Sequence, residues 1–165
     1  YKLQTLIETG TYLGAMVFAT KNIFKKIYTV ELDKKLYQKA KNKFRKYQHI
    51  NVLFGDSTNV LPKILKQVNE PCLFWLDAHF SKGITAKGVK DTPIMDELNS
   101  ILNHKVKTHL ILIDDANVFT GKKDYPTLSN LKKFIFKKNP SLDFFVKHNI
   151  IIITPKKQLS QQEHI

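Results

Sequence analysis

The run Glu8-Thr9-Gly10-Thr11-Tyr12-Leu13-Gly14 decides how this chain is read. An apolar stretch beginning at Leu3 runs straight into it, and Leu13, Met16, Val17 and Thr20 then recur at helical spacing. A strand that breaks into a turn with two glycines and resumes as a helix leaves backbone N–H groups and side-chain-free space at the strand end. Open α/β sheets bind ligands at that place. Taken alone the run is only a tight turn, because glycine is the default residue wherever φ must be positive. Its meaning depends on whether the rest of the chain repeats the alternation.

It does. Ile27 to Glu31 reads as a second strand, and Leu36, Ala40, Phe44 and Tyr47 mark one face of the helix after it. Ile50 to Phe54 is a third strand. Val60, Leu61, Ile64, Leu65 and Val68 form the next helical stripe, with Pro62 expected in its first turn, where a missing N–H costs nothing. Cys72 to Leu76 is a fourth strand. Phe80 to Asp91 lacks periodicity and reads as a loop. Thr92-Pro93 then looks like a helix start, continued by Ile94, Leu98, Ile101 and Leu102. Leu110 to Ile113 is a fifth strand, and Leu128, Leu131, Phe134 and Ile135 a helix that stops before Asn139-Pro140. Asp143 to Val146 and Ile150 to Thr154 flank a very short turn near His148-Asn149, hence an antiparallel hairpin. Strands this continuously apolar, alternating with helices, predict a mostly parallel seven-stranded sheet with helices on both faces and a C-terminal antiparallel hairpin. Residues 1–154 are read as a single domain and 155–165 as a polar tail.

Composition narrows the class. The 165 residues are 42% apolar and 25% charged, ordinary for a globular protein. No apolar run approaches the roughly 20 residues that span a bilayer, and Cys72 stands alone, so no disulfide framework and no membrane partner are expected. A cytoplasmic location is the default. The net charge of +13 points towards polyanions, yet Arg45 is the sole arginine and the lysines are dispersed. Arginine supplies the bidentate fork of nucleic-acid readout, so nucleic acid is the disfavoured partner.

The residues just beyond each strand carry the chemistry. The successive strand ends bring Glu8 and Gly10, Glu31 and Asp33, Asp56, Asp77 and His79, then Asp114 and Asp115 to one rim. Asp is common in turns and at helix starts, but a carboxylate at all five ends of a chain with 14 acids and 27 bases is selective. A dinucleotide loop wants a second glycine where a pyrophosphate approaches the backbone. Tyr12 stands there, so a pyrophosphate is poorly served and a nicotinamide oxidoreductase is disfavoured. S-adenosylmethionine has no phosphate. Glu31 is placed to accept its ribose hydroxyls and Asp56 to meet its adenine amino group. Glu8, Thr9, Gly10, Thr11, Tyr12, Gly14, Leu32, Ser57 and Asp77 complete the candidate cofactor set.

These stations resemble class I (Rossmann-like) S-adenosylmethionine-dependent methyltransferases over nearly the whole chain. The Glu8–Gly14 run looks like their first motif in the Glu-x-Gly-x-x-x-Gly form of cation-dependent O-methyltransferases of the catechol and caffeoyl-CoA type. Val30-Glu31-Leu32-Asp33, Gly55-Asp56-Ser57, Trp75-Leu76-Asp77-Ala78-His79 and Ile113-Asp114-Asp115-Ala116 come in that family's order. The sequence is also similar to a bacterial group carrying W-L-D-G-H and I-D-D-A motifs. The resemblance implies Mg²⁺ held by Asp77, Asp114 and Asp115, although the family has Asn at the position of Asp115. His79, two residues beyond Asp77, is the candidate general base, and Asp77 shares the catalytic assignment.

The expected activity is methyl transfer to oxygen on a small hydroxylated acceptor, a sugar or other metabolite, with the segments 80–91 and 116–125 as acceptor walls. A homodimer is compatible with it. The alternatives are a nucleic-acid methyltransferase using the basic surface and a non-catalytic module that binds the same cofactor.

Overall fold

The computed structural model describes residues 2–78 and 92–156. His79 and the segment 80–91, expected to carry the base and one acceptor wall, lie outside them, as does most of the tail.

Chain order is β1 (Thr5–Thr9), α1 (Ala15–Thr20), β2 (Lys26–Glu31), α2 (Lys34–Phe44), β3 (Ile50–Phe54), α3 (Ser57–Leu65), β4 (Cys72–Leu76), α4 (Ile94–Asn103), β5 (Leu110–Ile113), α5 (Leu128–Lys138), β6 (Leu142–Lys147) and β7 (Ile150–Pro155), with a 3-10 turn at Ala116–Val118. The strands form one sheet in the order β3-β2-β1-β4-β5-β7-β6. All neighbours pair in parallel except β7, which runs antiparallel to both β5 and β6. Strand order reverses between β1 and β4, which opens the crevice where such sheets take ligands.

Alternation along β1 sorts the core. Leu6 packs with Val17, Ile27, Ala40 and Phe44, on the face covered by α1 and α2. Ile7 packs with Leu61, Ile64, Leu98, Leu131 and Ile135, on the face covered by α3, α4 and α5. Every residue of β1 is buried, as the central strand of a doubly covered sheet requires.

Three of the five described helices start on a side-chain cap, while α1 after Gly14 and α4 after Pro93 have none. Asp33 caps α2 by accepting from the N–H groups of Lys35 and Leu36, Asp56 caps α3 through Thr58, and Thr127 caps α5 through Asn130. The Asp56 cap begins α3 earlier than the apolar stripe implies. Pro62 therefore lies inside the helix rather than in its first turn, where it removes one intrahelical donor. The closing hairpin turns on two residues, His148 (φ 51°) and Asn149 (φ 63°), the mirror-image turn that matches strand twist. Its register extends one residue past the expected end, pairing Pro155 with Leu142.

At the opposite end of the sheet from the glycine loop, two histidines hold the starts of β4 and β5 together. The Cys72 N–H donates to His109 Nδ1 (3.1 Å), which fixes the His109 proton on Nε2. That Nε2–H donates to His104 Nδ1 (2.9 Å), and His104 Nε2–H donates to the Leu65 carbonyl (3.0 Å). Both rings are thus neutral. Burial, with the neighbouring His104 and Lys107, holds His109 down at about 4, and burial lowers His104 as well. The unfolded chain takes up these protons near the ordinary histidine value, so it binds more protons than the folded chain between the two. The histidine contribution to stability is full above pH 6.5 and is lost as pH falls towards 4, by roughly 3 kcal/mol for His109 at about 1.4 kcal/mol per unit. Urea unfolding of wild type and His109→Gln at pH 7 and pH 4.5 isolates this contribution, since buried carboxyls that titrate in the same interval are common to both. Wild type is expected to lose more stability than the variant on going to pH 4.5. A wild-type and a His109→Gln protein whose stabilities change equally over that interval would contradict the neutral pair.

Candidate cofactor site

The glycine loop is tied down by β2 on one side and β4 on the other. Gly10 and Thr11 donate their N–H groups to the Val30 carbonyl at 3.0 and 3.2 Å. Gly10 has φ +87°, and a Cβ there would lie 2.4 Å from the Asp77 carbonyl oxygen. The loop thus runs against the backbone of β4 in the crevice, and only glycine fits. Gly14, at φ +71°, precedes α1, and a Cβ there would meet the Phe44 ring at 2.7 Å. Leu13, expected on the helical stripe, instead lies ahead of α1 and is exposed.

Glu31 is the organising side chain of the rim. It ends β2 and is 6% exposed. Its Oε2 accepts the Tyr12 N–H at 2.7 Å and its Oε1 accepts the Asp33 N–H at 2.8 Å. One carboxylate therefore links the glycine loop to the start of α2. Tyr12 sits at φ 49°, a conformation unusual for a side chain of its size, and the Glu31 contact holds it there. Burial raises the Glu31 pKa, while the N–H groups of Asp33, Tyr12 and Leu32 pull it back. Each oxygen keeps a further lone pair, so a vicinal diol can still be accepted.

Glu8 lies on the same side of the sheet, 2% exposed. Thr29 donates its hydroxyl to Glu8 Oε2, and the hydroxyls of Thr11 and Thr29 are 2.5 Å apart. Burial, with the nearby charges of Asp77 and Glu31, pushes the Glu8 carboxyl up to about 8. At neutral pH it is largely the neutral acid, and a cation placed beside it would favour the carboxylate. Asp56 spends Oδ1 on capping, accepting both the N–H and the hydroxyl of Thr58. Ser57 is buried at the first position of α3.

The rim residues expected from the sequence thus fall into two groups. Glu8, Thr9, Gly10, Thr11, Tyr12, Gly14, Glu31, Leu32, Asp56, Ser57 and Asp77 lie at the ends of β1 to β4 around the crevice. Asp77, Asp114 and Asp115 come after the neighbouring strands β4 and β5, yet no group of three or more His, Cys, Asp or Glu among the described residues is arranged to hold a metal ion. Asp114 Oδ1 accepts the Asp115 N–H at 2.9 Å, and Asp115, at φ 55°, takes the Asn149 side-chain amide on Oδ1 at 3.1 Å. This pair is turned to hold the strand-end turn and the closing hairpin.

Two contributors do not stand out in the sequence. Thr29, a hydroxyl inside an apolar strand, bridges Glu8 and Thr11; its polarity amid Ile27, Tyr28 and Val30 is the available signal. Glu97 of α4 is 1% exposed and reaches towards Thr9 and Ser57. Its available signal is position: Glu97 stands three residues after Ile94 and four before Ile101, on the apolar stripe of the helix, whereas Asp96 lies off it.

No protein-family model and no curated protein sequence matches the chain. Solved structures do. A Podospora anserina methyltransferase bound to S-adenosylhomocysteine (SAH) is 17% identical, with a TM-score of 0.63 over 93% of this chain and 72% of that one. A Bacillus cereus O-methyltransferase in complex with SAH is 15% identical, with a TM-score of 0.66 over 93% of this chain and 74% of that one. An rRNA methylase of Streptococcus thermophilus is 11% identical, with a TM-score of 0.56 over 94% and 89%. At these identities the likeness is one of fold. The chain has the Rossmann-like fold of class I methyltransferases. No helix among the described residues is long and apolar enough to cross a membrane.

Proposed function

We propose that residues 1–154 form a single S-adenosylmethionine-binding unit that transfers a methyl group to oxygen on a small hydroxylated acceptor, a sugar or other metabolite. The observation that carries the reading is Glu31, held by the Tyr12 and Asp33 N–H groups at the end of β2 with lone pairs left for two ribose hydroxyls. The glycine cradle at Gly10 supports it, since a Cβ there would close the approach between β1 and β4. So do the SAH-bound neighbours that share the fold.

When bound, S-adenosylmethionine supplies an activated methyl on a sulfonium. The chain's part is to hold that methyl in line with the acceptor oxygen, and positioning of this kind supplies much of a bimolecular rate enhancement. Glu31 would fix the ribose, Asp56 the adenine amino group, and Glu8 would answer the cofactor's positive charge by ionising. His79 would take the acceptor hydroxyl proton, with Asp77 beside it. Asp115 meets Asn149 through Oδ1 alone, so that contact does not bar a metal. Asp77, Asp114 and Asp115 would hold the Mg²⁺ ion the resemblance implies, which would lower the pKa of a bound acceptor hydroxyl, and no step here depends on it.

Incubation with methyl-labelled cofactor and a panel of sugars and other hydroxylated metabolites tests the proposal. It predicts SAH formation coupled to an O-methylated product, unaltered by EDTA and by Asp114→Ala. A stoichiometric loss of activity with EDTA would restore the metal, and no transfer to any acceptor would reduce the chain to a binding module.

One observation favours a second reading, a nucleic-acid acceptor. Lys21 and Lys43 stand over the exposed ring of Phe18 at 4.1 and 5.5 Å, close to the glycine loop. RNA binding that weakens steeply with salt would support that alternative.

A further inference from the structure

Glu8 shares the α1/α2 side of β1 with Leu6. The strand's last residue, Thr9, alternates with Glu8 and faces the other way, towards α3 and α4. There it meets Glu97, from the first turn of α4, and Ser57, the first residue of α3. All three are buried, Thr9 completely and Glu97 to within 1%. Glu97 therefore lies where the floor of the glycine loop, the start of α3 and α4 come together.

A helix macrodipole does not account for it. An acid in a first turn is favoured near the N-terminus whether or not it is buried, and Asp96 beside it meets that preference while partly exposed. Burying a carboxyl is costly unless hydrogen bonds or a partner charge offset the lost hydration. The Ser57 and Thr9 hydroxyls come close enough to favour the Glu97 anion, yet Glu97 Oε1 and Thr9 Oγ1 complete no hydrogen bond among the described residues. Native interiors keep few such atoms, and those they keep call for an explanation.

We propose that Glu97 is a positioning residue for the cofactor site, bracing the end of β1 through Thr9 and the start of α3 through Ser57. Gly10 comes directly after Thr9 and Asp56 directly before Ser57, so this carboxyl sets the separation of the two walls assigned to the methyl donor. It acts through its buried position between those two residues. The inference rests on the S-adenosylmethionine reading above.

The brace depends on protonation. Burial first, then the charges of Asp56 on α3 and Asp96 on α4, push Glu97 up to about 7, while the two hydroxyls pull it down. As the neutral acid it can donate to one hydroxyl and accept from the other. As the anion it only accepts, and it faces Asp56 at the wall it supports. Site affinity attributable to Glu97 is therefore greatest below pH 7 and falls as pH rises through that value. Glutamine reproduces the neutral acid and does not titrate.

SAH binding to the 165-residue chain, measured by calorimetry at pH 6 and pH 8.5, tests this. Glu97→Ala is expected to weaken SAH at least 10-fold at pH 6. Glu97→Gln should bind within about threefold of wild type at pH 6 and hold that affinity at pH 8.5, where wild type weakens more than the glutamine variant does. Comparing the two variants with wild type removes the contribution of other titrating groups, Glu8 among them. If Glu97→Ala does not fold, Thr9→Val and Ser57→Ala carry the same expectation of weakened binding. Unchanged affinity in Glu97→Ala or in that pair, or a Glu97→Gln variant that tracks the wild-type pH profile, would overturn the inference alone. Absence of SAH binding by wild type would overturn the cofactor reading and this inference with it.

Discussion

Gly10→Ala is expected to abolish SAH binding and to lower the melting temperature by roughly 10 °C. Two costs combine. The residue sits at φ +87°, where an alanine is strained by about 1–3 kcal/mol. Its Cβ would also lie 2.4 Å from the Asp77 carbonyl oxygen and 2.8 Å from its carbon. Those atoms are backbone at the end of a central strand, and the Asp77 N–H is itself bonded to the Thr9 carbonyl at 3.0 Å. No rotamer relieves the clash, so either β1 separates from β4 or the loop leaves the crevice. About 3 kcal/mol in a domain of this size corresponds to roughly 10 °C. Gly14→Ala is the informative comparison. It too has positive φ, but its Cβ would meet the buried Phe44 ring rather than strand backbone, so the cost there falls on core packing and not on the β1–β4 pairing. Circular-dichroism melts paired with SAH titration check both, and a Gly10→Ala protein that melts and binds like wild type would contradict the packing of the loop.

The second large effect is Glu31→Ala. SAH affinity is expected to fall at least 100-fold with a much smaller loss of stability. Hydrogen bonds to a charged group contribute about 1.5–3 kcal/mol each, and the ribose would supply two. The carboxylate also positions the loop, because Tyr12 keeps its positive φ against the Glu31 contact. Glu31→Gln should lie in between. One of its termini becomes an NH₂ that must face the N–H of either Tyr12 or Asp33, donor against donor. A Glu31→Ala protein that binds SAH within threefold of wild type would remove Glu31 from the site.

Gly10 and Glu31 are legible in the sequence for the same reason. A continuous apolar run such as Cys72–Leu76 or Leu110–Ile113 reveals a buried parallel strand, and the residue that ends it must lie on the rim. The hairpin is legible because His148-Asn149 leaves room only for a two-residue turn. Properties decided by packing between distant elements do not show. The stripe Ile94, Leu98 and Ile101 already puts Glu97 on the inward face of α4, but which groups it meets there follows only from how α4 docks on α3 and β1. Asp114 and Asp115 can be assigned to a strand end but not given a direction; the left-handed backbone at Asp115 turns its carboxylate to Asn149. Pro62 is misplaced by the periodicity because the apolar stripe begins later than the helix. Asp56 marks the true start, a capping signal available in the sequence.

The most direct test of the central claim is a calorimetric titration of the chain with SAH. The account predicts one-site binding in the micromolar range that Glu31→Ala removes. No heat of binding up to millimolar SAH would contradict it.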